Sequence, residues 1–173
     1  MHAVSKLIDR FSGALGQAVS WVCLLMVLLG AFNATSRYFG RHLGINLNST
    51  ALNEAQWCMF SLLFLLGGAW ALQQDKHVRV DVLYGRLSER GRARINLAGA
   101  LLFLLPFCAF GVWSSWAYVT NSIAQLEVSP NPGGLPYYPI KALIPLSFVL
   151  LALQAVSQII KDITTLRGQT NAS

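Results

Sequence analysis

Apolar and polar positions fall along this chain in long blocks. Charge-free stretches run from Phe11 to Ser36, Ala55 to Gln74, Ile95 to Leu126 and Ala142 to Ile160. Each matches or exceeds the roughly 20 residues that a helix needs to cross the hydrocarbon layer of a bilayer. The pattern predicts four transmembrane helices over about 14–36, 54–74, 95–120 and 142–161, joined by an inner loop over 75–94 and an outer Pro/Gly hinge over 127–141. A single all-α membrane domain then accounts for all 173 residues, with no soluble domain remaining.

Two shorter stretches show helical amphipathic spacing. Val4, Leu7, Ile8 and Phe11 repeat at i, i+3, i+4, i+7 around Lys6, Asp9 and Arg10, and Val80, Leu83, Tyr84 and Leu87 repeat the spacing before Gly91. Both are expected to lie along the inner membrane plane as interfacial helices. Trp57, Trp113, Trp116 and Tyr118 near outer span ends, and Trp70 near an inner one, suit interfacial belts.

Charge sets the orientation. With the N-terminus inside, ten of the thirteen Lys and Arg residues lie on the inner side, leaving Arg37, Arg41 and Lys141 outside. That asymmetry predicts cytoplasmic N- and C-termini. The net charge of +6 then reads as a topology signal and a match to anionic phospholipid headgroups. No aromatic-interleaved basic groove points to nucleic acid. The first apolar run is too long for a cleaved signal peptide and is expected to stay attached.

The middles of the spans fall near Leu25, Leu65, Pro106 and Leu151, among Leu, Val, Phe, Met and Ala. A transport path or a catalytic centre at that depth needs ionisable groups or interrupted helices, which this chain lacks. Gln154 and Gln158, on the inner half of the last span, read as helix-helix glue ahead of substrate ligands. His2, His42 and His77 lie outside the spans, so no haem or other cofactor is expected. Cys23, Cys58 and Cys108 read as small buried hydrophobes, and no metal-spaced set or nucleophile motif suggests an enzyme.

A few residues stand out. Arg37 ends the first span and Glu54 begins the second, so an ion pair at the outer side, within the chain or with a partner, would lower the cost of charge near hydrocarbon. Pro106 implies a bend in the third span and Pro145 a helix start. Gly30 with Ala34, and Gly67-Gly68-Ala69 with Ala71, offer close helix approach. The segment Pro132-Gly133-Gly134-Leu135-Pro136-Tyr137-Tyr138-Pro139, followed by Lys141, reads as a rigid outer hinge. It either caps the third and fourth spans or presents a preorganised docking surface.

Four segments carry a family resemblance: Asn53-Glu54-Ala55-Gln56-Trp57, Gly67-Gly68-Ala69, the inner Asp75-Lys76-His77-Val78-Arg79-Val80-Asp81 and the outer Pro132-Gly133-Gly134-Leu135-Pro136 with Pro139-Ile140-Lys141-Ala142-Leu143-Ile144-Pro145. Together they resemble the small, DctQ-like membrane subunit of tripartite ATP-independent periplasmic (TRAP) transporters, over roughly Arg10 to Lys161. The resemblance implies a bacterial inner-membrane complex in which a periplasmic solute-binding protein delivers an organic acid to a small and a large membrane subunit. The large subunit would hold the substrate and sodium sites and move as an elevator, and this chain would be its static scaffold. The longer outer loop resembles the branch whose partners handle 2-oxo monocarboxylates and related acids. Many relatives carry two adjacent acids at the start of the second span, whereas here Glu54 is followed by Ala55. His77, Arg79 and Asp81 would either anchor the inner loop to the large subunit or meet lipid headgroups. A self-associating four-helix binding or regulatory module is the alternative reading.

Overall fold

The computed structural model describes residues 2–43, 50–74 and 87–168. Four long helices make up the fold: α1 (His2–Leu43), α2 (Thr50–Gln73), α3 (Glu89–Ala124) and α4 (Tyr138–Gly168). All four are long and apolar enough to cross a membrane, as the charge-free blocks predict. At 1.5 Å per residue each is longer than the roughly 30 Å hydrocarbon layer requires, so helix ends project beyond it.

The segment expected to lie in the membrane plane before the first span is instead continuous with it. Residues from His2 to Leu43 form one uninterrupted helix, in which Leu7 and Phe11 are exposed while Ser5 and Ser12 are buried. The reason is a polar stripe. Ser5, Asp9 and Ser12 recur at helical spacing and face polar groups of α4, which holds these first turns upright against the bundle.

Helix α3 starts at Ser88, whose hydroxyl accepts from the Gly91 amide as an N-cap, with Glu89 in the first turn. Its middle is a π-helical turn over Ala100–Leu104, where the Leu105 amide donates to the Ala100 carbonyl. Pro106 follows directly. The proline has no amide and its ring would clash with the carbonyl four residues back, so the wider turn lets the helix continue through it. The bend expected at Pro106 is therefore an adjustment of the ladder just ahead of it.

Helix α4 is the centre of the bundle: it packs against each of the other three, and α1 and α2 also pack on each other. Two glycines set the closest approaches. A Cβ on Gly16 would fall 2.3 Å from the Trp70 indole, and one on Gly111 would fall 2.7 Å from the Phe148 ring. Trp70 thus covers α1 as well as lying near the end of α2. Of the small residues noted in the sequence, Ala69 is buried and Gln56 lies over Gly30, whereas Gly68 faces open space.

Candidate functional site

Among the described residues, the polar side chains that join one helix to another gather toward the two ends of the bundle, while hydroxyls between them, such as Ser20, Ser61, Ser115 and Ser147, bond to their own helix backbone. The outer gathering is built on the chain between α3 and α4. After α3 the backbone closes a Schellman motif: Leu126 sits in the left-handed region at φ 46°, its amide donates to Ile123 O and the Glu127 amide donates to Ser122 O. Leucine there carries a strain of about 1 kcal/mol that glycine would avoid.

The chain then runs out and back as a short hairpin. The Tyr137 amide donates to Glu127 O at 2.9 Å, the Ser129 amide to Leu135 O at 3.1 Å, and Val128 bridges Pro136. At the tip, Asn131-Pro132-Gly133-Gly134 closes with the Gly134 amide on Asn131 O at 3.0 Å. Gly133 has φ +72°, the left-handed value that the third position of a Pro-Gly type II turn requires. The predicted hinge is this hairpin, and Tyr138 and Pro139 already belong to the first turn of α4.

Glu54 anchors it. The residue is 2% exposed, and the Leu135 amide donates to its carboxylate at 2.6 Å, Asn131 Nδ2 at 3.0 Å, Ser129 Oγ in a short bond and Tyr137 Oη at the long limit of 3.5 Å. Gly134 makes room: a Cβ there would lie 2.3 Å from Ser129 Cβ and 2.8 Å from Glu54 Oε2. The outer loop thus caps α2 as well as the two helices it connects. The ion pair expected between Arg37 and Glu54 does not form. Both Glu54 oxygens are taken by the hairpin, and Arg37 is exposed near the end of α1. Neutral donors, including a backbone amide, satisfy the carboxylate in place of a cation.

A second tie closes the base of the hairpin. Lys141 Nζ lies 2.5 Å from Glu127 Oε2 and 4.2 Å from the centre of the Tyr118 ring, and Ser122 Oγ donates to the same carboxylate oxygen at 2.7 Å. Lys141 and Ser122 hold the Glu127 carboxyl below its ordinary range. A depressed carboxyl contributes stability above the unfolded-state pKa of about 4 and loses it as pH falls through the lower folded value. The protection factor of the Tyr137 amide, its exchange relative to an unstructured chain at the same pH, is accordingly expected to be high at neutral pH and to fall in acid. In Glu127→Gln that protection factor should be low at neutral pH and lose this part of its pH dependence.

Beneath the hairpin, Asn33 of α1 is buried and its Nδ2 donates to Asn53 Oδ1 at 2.7 Å and to Gln56 Oε1 at 3.3 Å. At the other end of the bundle the centre is Asp9. Its carboxylate accepts from Ser157 Oγ at 2.9 Å and Gln154 Nε2 at 3.0 Å and pairs with Lys161 Nζ at 2.6 Å. Ser12 Oγ donates to Gln154 Oε1 at 2.7 Å, Ser5 and Ser157 share a 2.8 Å bond, and Gln73 Nε2 ties α2 to the Asp9 carbonyl at 2.8 Å. Gln154 and Ser157 are fully buried. Gln154 is thus helix-helix glue, as its position suggested.

Asp9, Ser129 and Asn131 were not singled out by sequence reasoning. The signal for Asp9 was present in the Ser5-Asp9-Ser12 stripe, which faces Gln154-Ser157-Lys161 at matching spacing. His77, Arg79 and Asp81 lie outside the described residues.

The arrangement is that of a four-helix bundle long and apolar enough to cross a membrane, with polar clasps toward both ends. Residues 26–165 match the family described as tripartite ATP-independent periplasmic transporters, DctQ component, and the chain belongs to that family. Its members are transporter components and not enzymes. The chain is 26% identical over 145 residues to the ectoine TRAP transporter small permease protein TeaB of Halomonas elongata, covering 83% of this chain and 73% of that one. It is also 26% identical over 132 residues to a putative TRAP transporter small permease protein of Haemophilus influenzae, covering 72% and 76% respectively.

Proposed function

We propose that this chain is the static scaffold of a TRAP transporter for an organic acid, such as a 2-oxo monocarboxylate, with the substrate and sodium sites in a separate large subunit. The observation that carries the reading is the placement of polar groups: among the described residues each cluster ties helices together and none opens a polar route along the bundle. The bundle is pinned at both ends, which suits a fixed wall against which a mobile partner slides. Bilayer-facing aromatic and aliphatic side chains cover most of its flanks, with Trp21, Phe64, Phe103 and Trp113 each more than 65% exposed. In this reading the chain sits in the bacterial inner membrane with both termini cytoplasmic, supported by the excess of Lys and Arg on the inner side, and the hairpin is then periplasmic. There the exposed Pro132, Gly133 and Pro136 offer a preorganised surface to the solute-binding protein. Lys141, Tyr137 and Leu135 hold that surface from behind.

Tagging the chain, extracting it from its own membrane in mild detergent and identifying what copurifies tests the reading. A multi-span permease in near-equal amount is the expected result. A stable assembly of this chain alone would overturn the scaffold and favour the self-associating module.

A further inference from the structure

We propose that the groove between the first turns of α1 and the inner half of α4 is a site for one anionic phospholipid. Leu7, Ile8, Phe11 and Ser12 of α1 and Leu150 and Leu153 of α4 enclose about 330 Å³. The lining is aliphatic and aromatic apart from Ser12, whose hydroxyl is engaged by Gln154. Leu7 and Phe11 leave their outer sides open, at 70% and 54% exposure, so the groove is reached laterally from the bilayer.

The apolar, laterally open lining suits a length of acyl chain. Charge supplies the second argument. Lys6 and Arg10 immediately precede Leu7 and Phe11 and stand one helical turn apart, both exposed. Asp9 does not neutralise them, because its carboxylate is committed to Lys161, Gln154 and Ser157. Among the described residues neither has an acidic partner, so two exposed cations flank an apolar slot at the end of a membrane-spanning bundle, and long basic side chains reach along a helix to the headgroup layer. A phosphate with further negative charge complements that pair better than a zwitterionic headgroup does.

The amphipathic spacing at the start of the chain thereby gains a different use. In place of a helix lying flat on the membrane, the apolar residues line a slot on an upright helix and the basic residues between them stand beside it. The site needs neither the large subunit nor the binding protein, so its test is independent of the transporter reading.

The test is native mass spectrometry of the purified full-length chain offered phosphatidylglycerol and phosphatidylethanolamine in equal amounts. The expected result is a preference for phosphatidylglycerol of roughly tenfold or more, from two basic residues near the surface. Lys6→Gln with Arg10→Gln should bring the two lipids to near-equal retention. Leu153→Trp, which fills the slot from a partly exposed position, should reduce bound lipid of both kinds while circular dichroism stays unchanged. Equal retention in the unaltered chain would overturn the proposal, as would a preference that survives the double substitution. Cross-linking of Leu153→Cys in native membranes to another protein would also overturn it, by showing the groove covered by polypeptide.

Discussion

Glu54→Ala is expected to release the outer hairpin as a unit while leaving the four helices helical. The carboxylate is where donors from three parts of the hairpin converge: the Ser129 hydroxyl on the outgoing arm, the Asn131 amide at the tip and the Leu135 backbone amide on the return. Removing it strands all three beside a helix end, and buried donors left without acceptors are the costly outcome of losing a hydrogen bond. Glu54→Gln keeps the shape but puts an NH₂ where one of the two acceptor oxygens was, so it should rescue only in part. Glu54→Asp is one methylene too short to hold both arms. The measurement is hydrogen exchange at Leu135, whose amide points at Glu54, together with far-ultraviolet circular dichroism. Leu135 is expected to lose its protection in the alanine chain and to keep helical content. Undiminished protection would show that the hairpin stands on its own backbone bonds. Gly134→Ala approaches the same site from the hairpin side, and crowding Ser129 and Glu54 should destabilise it by about 1–3 kcal/mol.

That result would also show how sequence and structure divide here. The four spans are legible because the bilayer imposes one strong rule, a long run without charge, which any packing must obey. The use of Glu54 is not legible in the same way. A carboxylate near the outer end of a span suggested a cation, and Arg37 lay at similar depth, yet a backbone amide and three neutral side chains serve instead. Such a partnership depends on a Pro-Gly turn bringing Leu135 and Asn131 back over α2. The turn residues announce the turn but not its target. At the opposite end, the apolar spacing of Leu7, Ile8 and Phe11 suggested a helix lying flat, while the polar spacing of Ser5, Asp9 and Ser12 on the other face decides the outcome. A helix with two usable faces follows the one whose partners are satisfied, and those partners are about 140 to 150 residues away in the sequence.

Asp9→Ala is expected to be the most destabilising single change at that end, costing about 2–3 kcal/mol for a charged acceptor that loses its hydrogen-bond donors. The lost carboxylate leaves Gln154 Nε2 and Ser157 Oγ buried without it and leaves Lys161 without its counter-charge. If the network is one energetic unit, the damage should not add. Lys161→Met alone strips the carboxylate of its cation, and in the double variant the second loss should cost much less than it does alone, with a coupling of about 1–3 kcal/mol in a cycle of equilibrium unfolding in mixed micelles. Additivity within about 0.5 kcal/mol would mean that the pair is an incidental surface contact, as most exposed ion pairs are. The cycle bears on the proposed function, because a chain acting as a scaffold would have to hold α1 and α4 in fixed register while a partner moves against them. Asp9→Ala is therefore expected to weaken copurification of the large subunit in parallel with its loss of stability. Full recovery of the partner by a chain so loosened would locate the contact on α2 or α3, away from the clasp.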